Sequence, residues 1–416
     1  MRTRENRELK NNLPGVLKDL LKDLVTAADL AGIQRIALVG GIVRDHIIAL
    51  TQNKSIEKIH DVDLVVEGSA EILAKNIKSL LGDSRVDIIR LNPDFQTVEL
   101  KIDDVSFDIA RARIENYLIL ADNPEIEPSS IEKDLLRRDF TINSMAFDLR
   151  HNKLIDLFEG SDSILRGEIK FLHHKSVAED PTRIIRAARY SARLNFDLSK
   201  ESLHQITSTI KTWPWLSVLE NSSKNTPPAL AKRLEMELRL LLEKEENWEK
   251  GIELLQQWGA LILLDENIQN DNQWKRRVHW AVRLGINPLT AFIAGAANPL
   301  HIATRLQIPE CQKNFLLESS QITKHFHSLN MSNTIQKWGA ARWCNEIESS
   351  NWKKESIGIA ICLGIPVWKP LLRWWAKWSL VKAKTSAKDL LANGWPEGPL
   401  LGKELKRLRD IELEKY

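Results

Sequence analysis

The stretch His60-Asp61-Val62-Asp63-Leu64-Val65-Val66 decides how the first part of this chain folds. It sets two carboxylates, two residues apart, at the mouth of an apolar run. Side chains alternate along a strand, so Asp61, Asp63 and Val65 share one face while Val62, Leu64 and Val66 share the other. Two acids aimed at one spot are unfavourable unless a cation sits between them, and oxygen ligands suit a hard ion such as magnesium. A second alternating run, Val105-Ser106-Phe107-Asp108-Ile109-Ala110-Arg111, offers Asp108 from a neighbouring strand. Three convergent carboxylates can hold two magnesium ions, the arrangement that serves in-line phosphoryl transfer, so nucleotidyl transfer is the expected chemistry.

Upstream lies Leu38-Val39-Gly40-Gly41-Ile42-Val43-Arg44-Asp45. Gly40 and Gly41 follow an apolar strand and precede a helical pattern, so their backbone can turn tightly and offer amides to a triphosphate at a helix N-terminus. Arg44, one turn further on, adds a cation, with Asp45 as a local partner. Each piece alone has a plain alternative. A D-x-D can be a polar strand entrance and a Gly-Gly an ordinary turn. Their succession favours the catalytic reading.

The chain has 416 residues, more than one domain's worth. Its net charge of +3 is small, so nucleic-acid binding must come from local basic patches. Cys311, Cys344 and Cys362 are too few and too scattered for a disulfide framework or a zinc site, which points to a reducing compartment. With neither a signal-peptide pattern nor a long apolar run, a soluble cytoplasmic protein is expected, with no membrane partner. Up to about residue 150 helices alternate with short strands: helices over Val16 to Leu30 and Ala70 to Leu81, strands near Ile36, Asp61, Val86, Phe95 and Val105. From Asp180 onward helical periodicity dominates, as in Ala229 to Leu238. Trp368, Trp374, Trp375 and Trp378 are expected in the core of these helices. Asn221 to Pro228 reads as a loop or hinge.

The run Asp134-Leu135-Leu136-Arg137-Arg138-Asp139-Phe140-Thr141-Ile142-Asn143-Ser144-Met145-Ala146-Phe147-Asp148 makes the pattern specific. With the pieces above, it resembles the tRNA nucleotidyltransferase and bacterial poly(A) polymerase family, the class II branch of the polymerase-β-like nucleotidyltransferases. The resemblance runs from about Ile36 to Phe196. It implies an α+β architecture: a nucleotidyltransferase head of mixed sheet and helices over residues 1–150, a neck with a base-selecting helix over 151–225, and an all-helical, RNA-binding body and tail over 226–416. Physically, Arg137 and Arg138 can reach phosphate and Asp139 can accept a ribose hydroxyl. The resemblance assigns the nucleotide ribose to Arg138, Asp139 and Asn143, and makes Leu154 to Asp162 the link from head to neck.

Next comes Glu179-Asp180-Pro181-Thr182-Arg183-Ile184-Ile185-Arg186-Ala187-Ala188-Arg189-Tyr190. Asp180 suits an N-cap and Pro181 the first helical position. Arg183, Arg186, Arg189 and Arg193 fall in one arc, opposite Ile184, Ala188 and Ala192, so an outward basic stripe facing an anion is expected. In the resembled family, an E-D-x-x-R element here selects the incoming base. Cytosine and adenine offer an amine beside a ring-nitrogen acceptor, which Asp180 and Arg183 would match. An ion pair of Arg183 with Glu179 is the local alternative. The resemblance implies two magnesium ions, ATP and/or CTP as substrates, and the tRNA acceptor arm and 3′ end as partner. Rivals are a poly(A) polymerase and an RNA-binding protein with an inactive head. Whether CCA, CC or A is added, and the oligomeric state, are not legible from the sequence.

Overall fold

The computed structural model describes residues 15–52, 61–212, 228–331 and 334–416. The chain forms two compact units, Met1–Arg233 with Glu246–Ala260, and Leu234–Glu245 with Leu261–Tyr416. The expected head and neck spans, 1–150 and 151–225, both fall in the first of these units.

In the first unit, α1 (Gly15–Leu30), β1 (Ile36–Val39), α2 (Gly41–Thr51), β2 (Asp61–Val66), α3 (Ala70–Leu81), β3 (Val86–Asn92), β4 (Thr97–Ile102) and β5 (Val105–Arg111) follow in order. A small hairpin of β6 (Arg113–Asn116) and β7 (Glu125–Pro128) leads to α4 (Ile131–Leu136), β8 (Met145–Asp148) and β9 (Lys153–Asp156). Seven strands form one sheet in the order β3-β4-β5-β2-β1-β8-β9. Only the β2/β5 pair in it is parallel, and that register sets Asp61 opposite Ser106 and Asp63 opposite Asp108.

Period-two patterning decides the faces. Val98, Leu100 and Ile102 of β4 and Phe107 and Ile109 of β5 are buried, while Glu99, Lys101 and Asp108 between them are exposed. Helix α3 packs against β3, β4 and β5. It buries Ala70, Leu73, Ala74 and Ile77, a helical stripe, and Ser69 caps it by accepting from the Ile72 amide at 3.3 Å. The face carrying the acids stays open. The fourth strand begins later than Phe95, which lies in the preceding turn. There the Asn92 side chain accepts from the Phe95 amide at 3.4 Å and Gln96 has φ 50°, so pairing starts at Thr97.

The neck contributes α5 (Gly160–Arg166), α6 (Ser176–Glu179) and α7 (Thr182–Leu194). The second unit is helical among its described residues, its longest helix being Glu310–Met331. Phe326, Trp343, Ile361, Leu371, Trp374 and Trp378 build its core. Buried Trp374 satisfies its indole by donating to Glu348 at 3.1 Å, and Glu348 also receives Arg409. The expectation of core tryptophans fits Trp374 and Trp378. Trp368 and Trp375 are only partly buried and carry cations over their rings, Arg276 at 5.4 Å and Lys354 at 4.6 Å. Most of the expected hinge Asn221 to Pro228 lies outside the described residues. No described helix is long and apolar enough to cross a membrane.

Candidate active site

The site begins at the turn from β1 into α2. Gly40 has φ 68° and ψ −129°, a conformation that side-chain-bearing residues avoid. A Cβ added there would stand 3.2 Å from Asp63 Oδ2 and 3.3 Å from an Arg138 guanidinium nitrogen. Backbone, carboxylate and guanidinium thus close on one another only because glycine is present. Gly40→Ala is expected to cost about 1–3 kcal/mol of stability through backbone strain, read by urea denaturation, and to impair the site. An unchanged midpoint would show that the turn is not strained. Helix α2 has no side-chain cap, so its first-turn amides are not met by a capping side chain and suit an anion.

Arg44 is buried and donates to Asp45 from Nε at 2.7 Å and to Asn143 Oδ1 at 2.8 Å. From Asn143 the chain of bonds continues: its Nδ2 donates to Asp139 Oδ1 at 3.0 Å, and Asp139 Oδ2 accepts from Arg186 at 2.8 and 2.7 Å. Burial would raise the Asp139 carboxyl, but Arg186 and the Asn143 amide hold it below its usual value. Asp139 and Asn143 are 7% and 6% exposed and spend their polar atoms inside the protein, as buried polar groups must. They position Arg44 and Arg186. Arg137 is likewise taken up, by Asp134 at 2.8 Å and Glu115 at 3.0 Å.

Asp61, Asp63 and Asp108 share the open face. Burial raises the Asp63 carboxyl; Arg138 and Arg44 oppose this, and Asp61 adds to it. Asp108, exposed at the strand surface but partly shielded by its neighbours, is raised by that partial desolvation, then by Asp63, Glu99 and Asp61. The acids therefore repel one another at close quarters, an oxygen-only donor set suited to a hard divalent ion. Among the described residues no three His, Cys, Asp or Glu side chains form a ready cage, so an ion would have to draw these carboxylates inward. Arg138 donates to Asp134 at 3.1 Å, and its buried Nε has no partner. With Asp63 and Asp108 it lines a cleft of about 430 Å³.

On the neck, Asp180 Oδ1 accepts from the Thr182 amide at 3.1 Å and hydroxyl at 2.7 Å. The capping role is present, from the residue before Pro181. The outward stripe is only partial. Arg183 is 5% exposed and donates to the carbonyls of Ser176 at 3.3 Å and Arg137 at 2.7 Å, which satisfy a buried guanidinium. Arg186 and Arg189 are partly buried, and Arg193 is exposed. Glu179 lies 3.4 Å from His173 rather than pairing with Arg183. Burial, then Arg183, pushes that imidazole down to about 4, so it is neutral at pH 7.

Two residues went unread in the sequence. Tyr190 has Arg44, Arg186 and Arg193 around its ring at 5.0, 5.8 and 5.5 Å, and its signal was an aromatic inside an arginine stripe. Arg233 donates to the Ala121 carbonyl at 2.9 Å and stands 3.8 Å from Asp180 Oδ1, with no local signal at all.

A mixed sheet bearing paired acids beside an uncapped, glycine-led helix, continued by helices, is an arrangement suited to phosphoryl transfer. Residues 36–170 match the family model of the poly A polymerase head domain. The chain is 34% identical over 247 residues to the A-adding tRNA nucleotidyltransferase of Aquifex aeolicus, covering 59% of this chain and 27% of that one. Against the CC-adding tRNA nucleotidyltransferase of Deinococcus radiodurans it is 33% identical over 233 residues, 55% of each chain. It thus spans between about a quarter and just over half of these relatives' lengths. A solved CCA-adding enzyme in its apo form II superposes with a TM-score of 0.73 at 23% identity, over 98% of this chain and 94% of that one. The Thermotoga maritima CCA-adding enzyme complexed with tRNA gives 0.70 at 22% identity, over 99% and 94%. The fold is that of these enzymes.

Proposed function

We propose that the protein is a template-independent RNA nucleotidyltransferase that adds all or part of the CCA end to tRNA, using CTP and/or ATP. The observation that carries this reading is the in-register placement of Asp63 and Asp108 beside Asp61, facing the Gly40 turn and Arg138. Relatives named A-adding, CC-adding and CCA-adding support it.

Asp61, Asp63 and Asp108 would hold two magnesium ions, which supply charge neutralisation at the attacked phosphate. The α2 N-terminus, with Gly40 and Gly41, would take the triphosphate, and Arg138, with its unpartnered Nε, would reach its phosphates or ribose. Arg44, locked between Asp45 and Asn143, fixes that end of the site. Arg186 and Arg189 would add positive charge from the neck. We assign nucleotidyl transfer to the head, 1–150, base selection to the neck, 151–225, and tRNA binding to 226–416.

The deciding experiment offers tRNAs ending before CCA, after C and after CC, each with CTP or ATP alone. C added from CTP to the first two ends, A added from ATP to the end after CC, or both, fixes the scope as CC-, A- or CCA-adding. Long adenosine tails on any RNA would make it a poly(A) polymerase, and no incorporation would overturn the reading.

Asp180 can cap and read a base at once, because only Oδ1 is engaged by Thr182 among the described residues. Asp180→Asn should keep the cap and hence the melting temperature, since asparagine caps about as well. It brings a donor toward the cytosine or adenine amine, so preference over UTP and GTP should fall by roughly 1–3 kcal/mol of discrimination. Single-nucleotide incorporation with each triphosphate checks this. Wild-type preference in a normally melting variant leaves Asp180 as a cap only.

A further inference from the structure

Across the acid face the strands present their residues in rows, and one row runs Asp63, Asp108, Glu99, Arg90 over β2, β5, β4 and β3. Arg90 belongs to it because of a bulge. Asp87 pairs with Lys101 and Ile88 with Leu100, but it is Arg90, not Ile89, that pairs with Glu99. Simple alternation from Asp87 would send Ile89 to the acid face and Arg90 to the back. One extra residue turns Arg90 over, and bulges beside active sites commonly re-aim a side chain in this way. Arg90 and Glu99 are exposed and line the same cleft as Asp63, Asp108 and Arg138. Among the described residues no side-chain hydrogen bond or ion pair is recorded for either of them.

The sheet order fixes which ligand lies there. The Gly40-Gly41 turn leaves β1 on one side of β2, whereas β5, β4 and β3 extend on the other. In-line transfer sets the attacking oxygen opposite the leaving group. With the triphosphate at the glycine turn, the accepting strand must arrive over β5 and trail across β4 and β3. A guanidinium there suits a phosphate. A carboxylate repels phosphate but accepts from a hydroxyl, and the 2′-hydroxyl is what marks a strand as RNA.

We infer that Arg90 and Glu99 form the subsite for the terminal nucleotide of the accepting RNA, Arg90 holding its phosphate and Glu99 accepting from its ribose 2′-hydroxyl. This subsite rests on the transferase reading. Arg90→Ala, on an exposed sheet position, should melt normally. Its KM for acceptor RNA should rise about tenfold and the salt slope of RNA binding should fall by about one, with KM for the nucleotide unchanged. Arg90→Lys should recover part of the loss by restoring the charge. Glu99→Ala should reduce the preference for an all-RNA acceptor over one ending in a 2′-deoxynucleotide. An acceptor KM for Arg90→Ala within about twofold of wild type would overturn the subsite, as would an undiminished 2′-hydroxyl preference in Glu99→Ala. If wild type transfers to no acceptor, the transferase reading fails separately. Fluorescence anisotropy of a 3′-labelled acceptor without nucleotide then decides, and Arg90→Ala binding as tightly as wild type overturns the proposal.

Discussion

Asp63→Ala should abolish transfer while leaving the head folded. Several kcal/mol of charge stabilisation at the phosphate depend on the acids, so incorporation of labelled CTP or ATP should drop by roughly a thousandfold or more. Stability should move the other way, if at all. Asp63 is largely buried, repelled by Asp61, and raised in the folded protein, so its charged form opposes folding near neutral pH. The thermal midpoint of Asp63→Ala should equal or exceed that of wild type. Asp61→Ala should match it in activity. Near-normal incorporation by either variant would sink the carboxylate assignment, and a collapsed melt would show that the acids serve the fold instead.

The second large effect falls on Asp139, the hub between head and neck. Its carboxylate takes Arg186 at 2.7 Å and the Asn143 amide at 3.0 Å, so Asp139→Ala removes an acceptor from both. Breaking a buried pair costs about 3–5 kcal/mol, and the lower part of that range applies because the Arg186 side chain keeps 33% exposure. Urea denaturation should show the loss directly. The sign with pH follows from the lowered carboxyl. Its stabilisation is present above the unfolded carboxyl pKa, about 4, and is lost as pH falls through the lower folded value. Asp139→Asn should therefore be less stable than wild type at pH 7 and approach it in strong acid. A constant difference from pH 7 to pH 2 would mean that the charge on Asp139 is not what binds head to neck.

Periodicity made the acid face legible, because alternation forces Asp61 and Asp63 to one side and Phe107 and Ile109 away from Asp108, whatever else the chain does. The glycine turn was legible too, since only glycine takes the Gly40 conformation. Motif reading marked Asp180 and Arg183, and chain-local chemistry correctly gave the aspartate its capping role. It could not supply partners that lie far off in sequence. Asp139 and Asn143 stand 47 and 99 residues from Arg186 and Arg44, the partners they take in the fold.

The sequence by itself determined which residues could carry charge to a phosphate and on which side of a strand or helix each would start, because those properties follow from side-chain chemistry and local period. Only the tertiary structure decided which charges remain free. Arg183 and Asp139 are claimed by carbonyls and a guanidinium brought in by folding. Arg138 keeps an unpartnered Nε, and Arg90 reaches the acid face through a register slip between β3 and β4. A hydrogen-bond partner or a strand register is a relation between distant segments, and no local pattern encodes it.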